Sequence, residues 1–278
     1  MSNDKDLQKF LDAIDKIPSL PNIVVEVTRL SQDSDTNAQD IVDVVQYDQA
    51  ITANCLKVAN SAMFANRQKV SSLKEAVVFL GLKNLVKIVL ASSAMDVFKV
   101  EQSGYGMRKG ELWRHSVGTA IFSQLIAKKY KMKNESLLFT ASLLHDIGKL
   151  ALDGFVGEFS IDIMELMEQG YSEYKAETQV LGVDHARIGG LIAKRWQFPS
   201  ELVNAIQNHH IVEDNKSIDF YVRVCNILTK LATGNHDGII TTLDAKILSK
   251  LNFTEEDLLS IVKEFPLEMK KASDLLNL

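Results

Sequence analysis

Apolar residues recur at three- and four-residue intervals through most of this chain, and the runs are bounded by capping or breaking residues, the signature of short helices that each bury one face. The pattern predicts an amphipathic helix over 7–17. Ile17-Pro18-Ser19-Leu20-Pro21-Asn22 stops it, because proline lacks an amide hydrogen and fits only the first turn of a helix. Asn22 is a candidate cap for a helix over 23–32, which ends in the polar run Asp33-Ser34-Asp35-Thr36-Asn37. Thr36 or Asn37 can cap a helix over 38–46, and Asp48 the next one, through Ala59. Asn60 and Ser61 are read as helix termination, with the Asn60 amide bonding to nearby backbone. Ser72 and Glu75 stand in capping-box register ahead of an apolar stripe through Val78 and Leu82, broken at Gly81 and followed by a helix over 85–98.

The segment 101–110, with Gly104, Gly106 and Gly110, is the most glycine-rich in the chain and reads as a linker between lobes of residues 1–103 and 104–278. No strand precedes these glycines and their last spacing is wrong for a nucleotide loop. Beyond them the pattern predicts helices over 112–130, 135–150, 159–169, 171–181, 185–195, 200–208, 220–233, 244–251 and 255–264. Trp196-Gln197-Phe198-Pro199-Ser200 is a helix stop followed by a start. The fold class this predicts is all-α.

Composition narrows the function classes. With 31 basic and 36 acidic residues the formal charge is −5, which gives no global pull toward nucleic acid, and no direct nucleic-acid binding is expected. The polar start Met1-Ser2-Asn3-Asp4-Lys5-Asp6, and the lack of any apolar run near the roughly 20 residues that span a bilayer, predict a cytoplasmic protein without membrane insertion. Cys55 and Cys225 lie far apart within apolar helical patterns and are expected to be free, buried thiols.

The chemistry lies in the histidines. Of the six, five stand at positions that a metal site built on helices would use: His115, His145, His185, His209 and His210. His145 is followed directly by Asp146, and imidazole with carboxylate is the ligand chemistry of iron, manganese and zinc. A dyad alone could be a buried hydrogen-bonded pair, with Lys149 a snorkelling surface residue. Four further histidines in the pattern favour a site, because such a cluster in apolar helices is costly unless something binds there. His185 could also serve as helix start behind the cap Asp184, with Gly189-Gly190 marking close helix packing. His236, in the turn-like Gly234-Asn235-His236-Asp237-Gly238, falls outside this set and is expected at the surface.

His115, His145-Asp146 and Gly148-Lys149 resemble the HD phosphohydrolase superfamily. From Ile17 to about His210 the chain resembles its HDOD branch, the HD-related output domain. The matching stretches are Ile17-Pro18-Ser19-Leu20-Pro21, Lys57-Val58-Ala59-Asn60-Ser61-Ala62, Glu75-Ala76-Val77-Val78-Phe79-Leu80-Gly81, Leu144-His145-Asp146-Ile147-Gly148-Lys149, Asp184-His185-Ala186-Arg187-Ile188-Gly189 and Ala205-Ile206-Gln207-Asn208-His209-His210. The resemblance implies a two-lobed helical bundle, with the histidine cluster in the second lobe.

It also implies a bacterial signalling module that works by binding a signalling protein or a small nucleotide-like ligand through the groove between lobes. A retained, degenerate site would hold one or two divalent transition ions, iron or manganese ahead of zinc. The ligands implied are His115, His145, Asp146, His185, His209, His210 and Asn226. Asn226, in Val222-Arg223-Val224-Cys225-Asn226-Ile227-Leu228, stands where the superfamily has its closing aspartate, and an amide brings no charge to a hard cation. Ile211-Val212-Glu213-Asp214-Asn215-Lys216 stands where cyclic-dinucleotide phosphodiesterases of the superfamily carry a Gly-Tyr-Pro loop. The alternatives are a metal-dependent phosphohydrolase or phosphodiesterase, with Asp146 and Lys149 in the catalytic roles, and an ion that only ties helices together.

Overall fold

The computed structural model describes residues 4–18, 20–33, 35–61, 69–211, 217–234, 250 and 254–276. Among them every regular element is helical: α1 (Asp4–Asp15), α2 (Asn22–Gln32), α3 (Ala38–Val45), α4 (Gln49–Ala59), α5 (Leu73–Leu80), α6 (Leu82–Phe98), α7 (Glu111–Tyr130), α8 (Glu135–Leu144), α9 (Lys149–Glu158), α10 (Ser160–Glu168), α11 (Glu173–Leu181), α12 (His185–Arg195), α13 (Ser200–Gln207), α14 (Ile218–Thr233) and α15 (Glu255–Leu276). His236, the helix expected over 244–251 and most of the segment after Ile211 lie outside the described residues.

Polar residues start these helices as their chemistry demands. Asp48 accepts from the Ile51 amide, Ser72 from Glu75 and Asp184 from Arg187, and Asn37 with Asp40 forms a complete capping box. Each such cap is worth about 1 kcal/mol. Asn22 does not cap α2; Pro21 holds that place without a side-chain bond. Asn60 ends α4 by donating to the Leu56 carbonyl, and its amide also exchanges two 2.8 Å hydrogen bonds with the Val70 backbone.

One continuous apolar core runs from Phe10 to Phe265, beside a small satellite of Ala59, Val70, Ala76 and Leu80. α7 lies at its centre, buried on nearly every side and packed by α6, α8, α14 and α15. α1 crosses to α9 and α12, with the Phe10 and Phe155 rings 4.8 Å apart. No single helix among the described residues is long and apolar enough to cross a membrane. α5 and α6 have the composition together, but they bend by 115° at Gly81, whose φ of +81° favours glycine.

Three predicted elements differ. The helix expected over 135–150 stops at Leu144 and restarts as α9, which the periodicity missed. The last helix runs through Pro266 to Leu276, because burial of Ile261 and Phe265, the latter stacked 4.2 Å from Phe122, outweighs proline's cost of about 3 kcal/mol. Residues 101–110 are not a plain linker. Gln102 and Met107 exchange backbone hydrogen bonds, the Gly104 amide donates to Asp153, and a Cβ at Gly104 would lie 1.9 Å from the Asp153 carbonyl oxygen. The free, buried state expected of Cys55 and Cys225 is what the structure shows.

Candidate metal centre

The break between α8 and α9 builds the centre. From His145 to Gly148 the backbone stays near helical geometry but tightens to three-residue hydrogen bonds, Leu144 to Ile147 and Asp146 to Lys149, each 3.0 Å. Short stretches of this kind inside helical segments commonly mark functional positions. Gly148 permits it: a Cβ there would stand 1.9 Å from the carbonyl oxygen of His185, so only glycine lets this turn press against the start of α12. α12 begins at His185 behind its Asp184 cap. Gly189 and Gly190 let α13 pack closely on it, which brings in His209 and His210 from the turn after Gln207.

Asp146 is the hub. Its Oδ1 lies 3.4 Å from His145 Nε2, 3.3 Å from His185 Nε2 and 3.7 Å from His209 Nε2, and its Oδ2 lies 3.7 Å from His115 Nε2. Four helical segments distant in sequence thus converge on one carboxylate. All five residues are buried, none more than 4% exposed.

The outer faces of the imidazoles are held. His145 Nδ1 donates to the Ser142 carbonyl at 2.9 Å and His209 Nδ1 to Ile206 at 2.7 Å, which leaves both Nε2 atoms as bare lone pairs aimed inward. His185 Nδ1 donates to Glu177 at 2.7 Å, and Glu177 also accepts from the His185 amide and from the Tyr105 hydroxyl. Glu177 is fully buried. It was not singled out in the sequence, where a glutamate within a helical pattern reads as solvated. Its only signal is its place eight residues ahead of His185, across the break at Gly182.

A divalent ion fits this donor set. The Nε2 atoms of His115, His145 and His209 and the Oδ1 atom of Asp146 are buried without a hydrogen-bond partner, although buried polar atoms are seldom left so. Burial pushes His115 down to about 3, against the pull of Asp146, and lowers His145 and His209 as well, so all three are neutral and able to ligate. Burial works against charge on Asp146 too, but Lys149 and the His185 side chain hold its carboxyl well below the usual range. His185 is the converse: despite burial, the Glu177 and Asp146 carboxylates hold its imidazole up at about 10. A metal ion is the other cation that can answer the same negative charge.

The remaining candidates stand differently. His210 Nε2 is 2.7 Å from His185 Nε2, while its Nδ1 accepts from Arg223 at 3.0 Å. Only one proton fits between the two Nε2 atoms, so neither His185 nor His210 can turn a lone pair from this contact to an ion until that proton leaves. To ligate an ion His210 would have to give this proton up. Its ring stacks on Tyr174, 4.4 Å away and 4° from parallel. Asn226 is buried on α14, with no hydrogen bond to the cluster among the described residues. Lys149 is no surface residue. It is 1% exposed, donates to Glu173 at 2.7 Å, lies 3.6 Å from Asp146 and sits over the Tyr105 ring. Burial opposes its charge, but Asp146 and Glu173 hold the ammonium above its ordinary range.

Glu177→Gln should lower metal affinity about 10–100-fold while the protein stays folded, because the amide takes the anionic acceptor from His185 Nδ1. Competition with a chelator measures this. Unchanged affinity would show that Glu177 does not orient the ligand.

The HDOD domain pattern matches residues 17–212. An uncharacterized protein of Treponema pallidum (strain Nichols) is 30% identical over 203 residues, 72% of this chain, which spans 38% of that relative's length. Among solved structures, an HDOD domain protein of unknown function from Geobacter sulfurreducens superposes with a TM-score of 0.75 at 24% identity, covering 98% of this chain and 97% of that one. A candidate phosphohydrolase from Shewanella amazonensis SB2B gives 0.71 at 23% identity, covering 97% of both. These structures share the fold. With the family pattern spanning most of the chain and the His-Asp constellation gathered on one carboxylate, the chain belongs to the HDOD domain family.

Proposed function

We propose that this chain is a signalling module that works by binding, and that it holds a divalent transition ion, iron or manganese ahead of zinc, on Asp146 with His115, His145, His185 and His209. The observation that carries the reading is burial of the donor set: a centre whose every ligand is closed over suits an ion that ties helices together, whereas catalytic sites keep a position open. Ligand or partner protein is then read in the groove between the lobes of residues 1–103 and 104–278, and the ion fixes the second lobe's shape.

The phosphohydrolase reading rests on a different observation. A cavity of about 520 Å³ is lined by Tyr171, Lys175, Asp184, Arg187 and Asn208, and its two cations could meet a phosphate-bearing, nucleotide-like ligand. A bound ion would supply Lewis acidity toward a phosphoryl oxygen. Against this reading, Lys149 is committed to Glu173.

Turnover of a generic phosphodiester by manganese-loaded protein separates the two. Retained metal with no turnover is the result expected, and rates in the range of about 1–1000 per second would refute the binding reading. Asn226→Asp should tighten metal binding, by giving the unpartnered buried oxygen a charge, and should raise any phosphodiesterase activity. If neither metal affinity nor activity changes, Asn226 does not face the ion.

A further inference from the structure

A second cavity of about 240 Å³ is lined by residues of both halves of the chain, from Val58 to Ala272. α4 and α6 of the first lobe wall it on one side, and α7, α8 and α15 of the second on the other. It exceeds the roughly 150 Å³ cavity that accommodates a benzene ring.

Its α15 wall carries Glu268 and Lys271, paired with each other at 2.7 Å, while the walls from α6, α7 and α8 run from polar to apolar. Along α6 the order is Asn84, Lys87, Ile88, Ala91, polar at the helix start and apolar further on. Along α8, Glu135 holds Lys87 at 3.5 Å, Phe139 lies under the same ammonium at 5.7 Å, and Leu143 follows a turn later. The short link 131–134 makes α7 antiparallel to α8, which places Gln124 at the Lys87 end and Val117 at the Leu143 end. The polar end therefore holds Asn84, Lys87 and Gln124, and the apolar residue Val117 lies roughly 10 Å from Gln124 along α7.

Lys87 is available to an anion. Its side chain is 15% exposed, and burial lowers its pKa against the pull of Glu135. Glu135 has a second cation, Lys83, at 3.2 Å, so it stays paired when Lys87 turns to another carboxylate. We infer that this cavity is the module's input site and takes a small amphipathic carboxylate, its head on Lys87 and its tail against Ile88, Val117, Ile121 and Leu143. The tail end touches the two helices that deliver His115 and His145, two residues from Val117 and Leu143 respectively, so occupancy bears directly on the centre. The ligand class rests on geometry alone; its role as input rests on the binding reading proposed above.

Octanoate tests the class, with octan-1-ol as its uncharged counterpart, by calorimetric titration of the full chain. Octanoate should bind saturably, and Lys87→Met should weaken it about tenfold or more while leaving octan-1-ol unchanged. Ala91→Phe, which fills the cavity, should abolish both. No saturable octanoate binding, or equal affinity in wild type and Lys87→Met, overturns the site. Octanoate should also shift manganese affinity of the wild type and not of Ala91→Phe; binding without that shift overturns the input role. Because octanoate binding is measured without metal or turnover, failure of the metal reading leaves the binding result standing.

Discussion

Asp146→Ala is expected to strip the protein of its bound transition ion and to destabilise what remains. The carboxylate lies within 3.7 Å of all four inward-facing imidazoles, so its loss removes the group on which they converge. Without it Lys149 and His185 stay buried with one anionic partner fewer, and breaking a buried ion pair costs about 3–5 kcal/mol. The lower end is expected here, because Glu173 still holds Lys149 and Glu177 still holds His185. Elemental analysis and urea unfolding measure the two effects separately. His145→Ala should also cut metal content sharply. A metal content equal to wild type in both variants would place the ion elsewhere.

Gly148→Ala is expected to cost about 4 kcal/mol or more, in the range reserved for severe core disruptions. The backbone conformation is not the reason, since φ −65° and ψ −22° suit alanine. Space is the reason: the added methyl would meet the His185 carbonyl oxygen at 1.9 Å and the Gly189 amide nitrogen at 2.6 Å, both backbone atoms that cannot turn away. α9 and α12 must part, and Asp146 and His185 with them, so metal should be lost along with stability. Gly154→Ala is the control on the same helix. Nothing lies within 4 Å of its Cβ position, and the better helix former should leave stability equal or raise it by about 0.5–1 kcal/mol. Equal melting temperatures for the two variants would contradict the close-contact account.

These two positions show what a single sequence discloses and what it withholds. The helices were readable because most bury one face and many carry a side-chain cap, as Asp48, Ser72 and Asp184 do. The stop after Leu144 was not, because 143–152 contains no proline and its one glycine is conformationally helical; the turn is made by tertiary pressure from α12. Gly104 misled in the opposite direction. Glycine-rich sequence reads as linker, whereas here the missing side chain lets backbone pass against Asp153 and brings Tyr105 to Glu177. The histidines stood out by residue type. Their support did not, because nothing local distinguishes Glu177 from a solvated helix glutamate, and the proton position on His210 depends on Arg223, contributed by α14.

The measurement that bears most directly on the account is elemental analysis of the full chain, purified without chelator and then incubated with iron or manganese. The proposed centre predicts at least one transition ion per chain in the wild type and none in Asp146→Ala. A folded wild-type chain that takes up no transition ion under these conditions would contradict it.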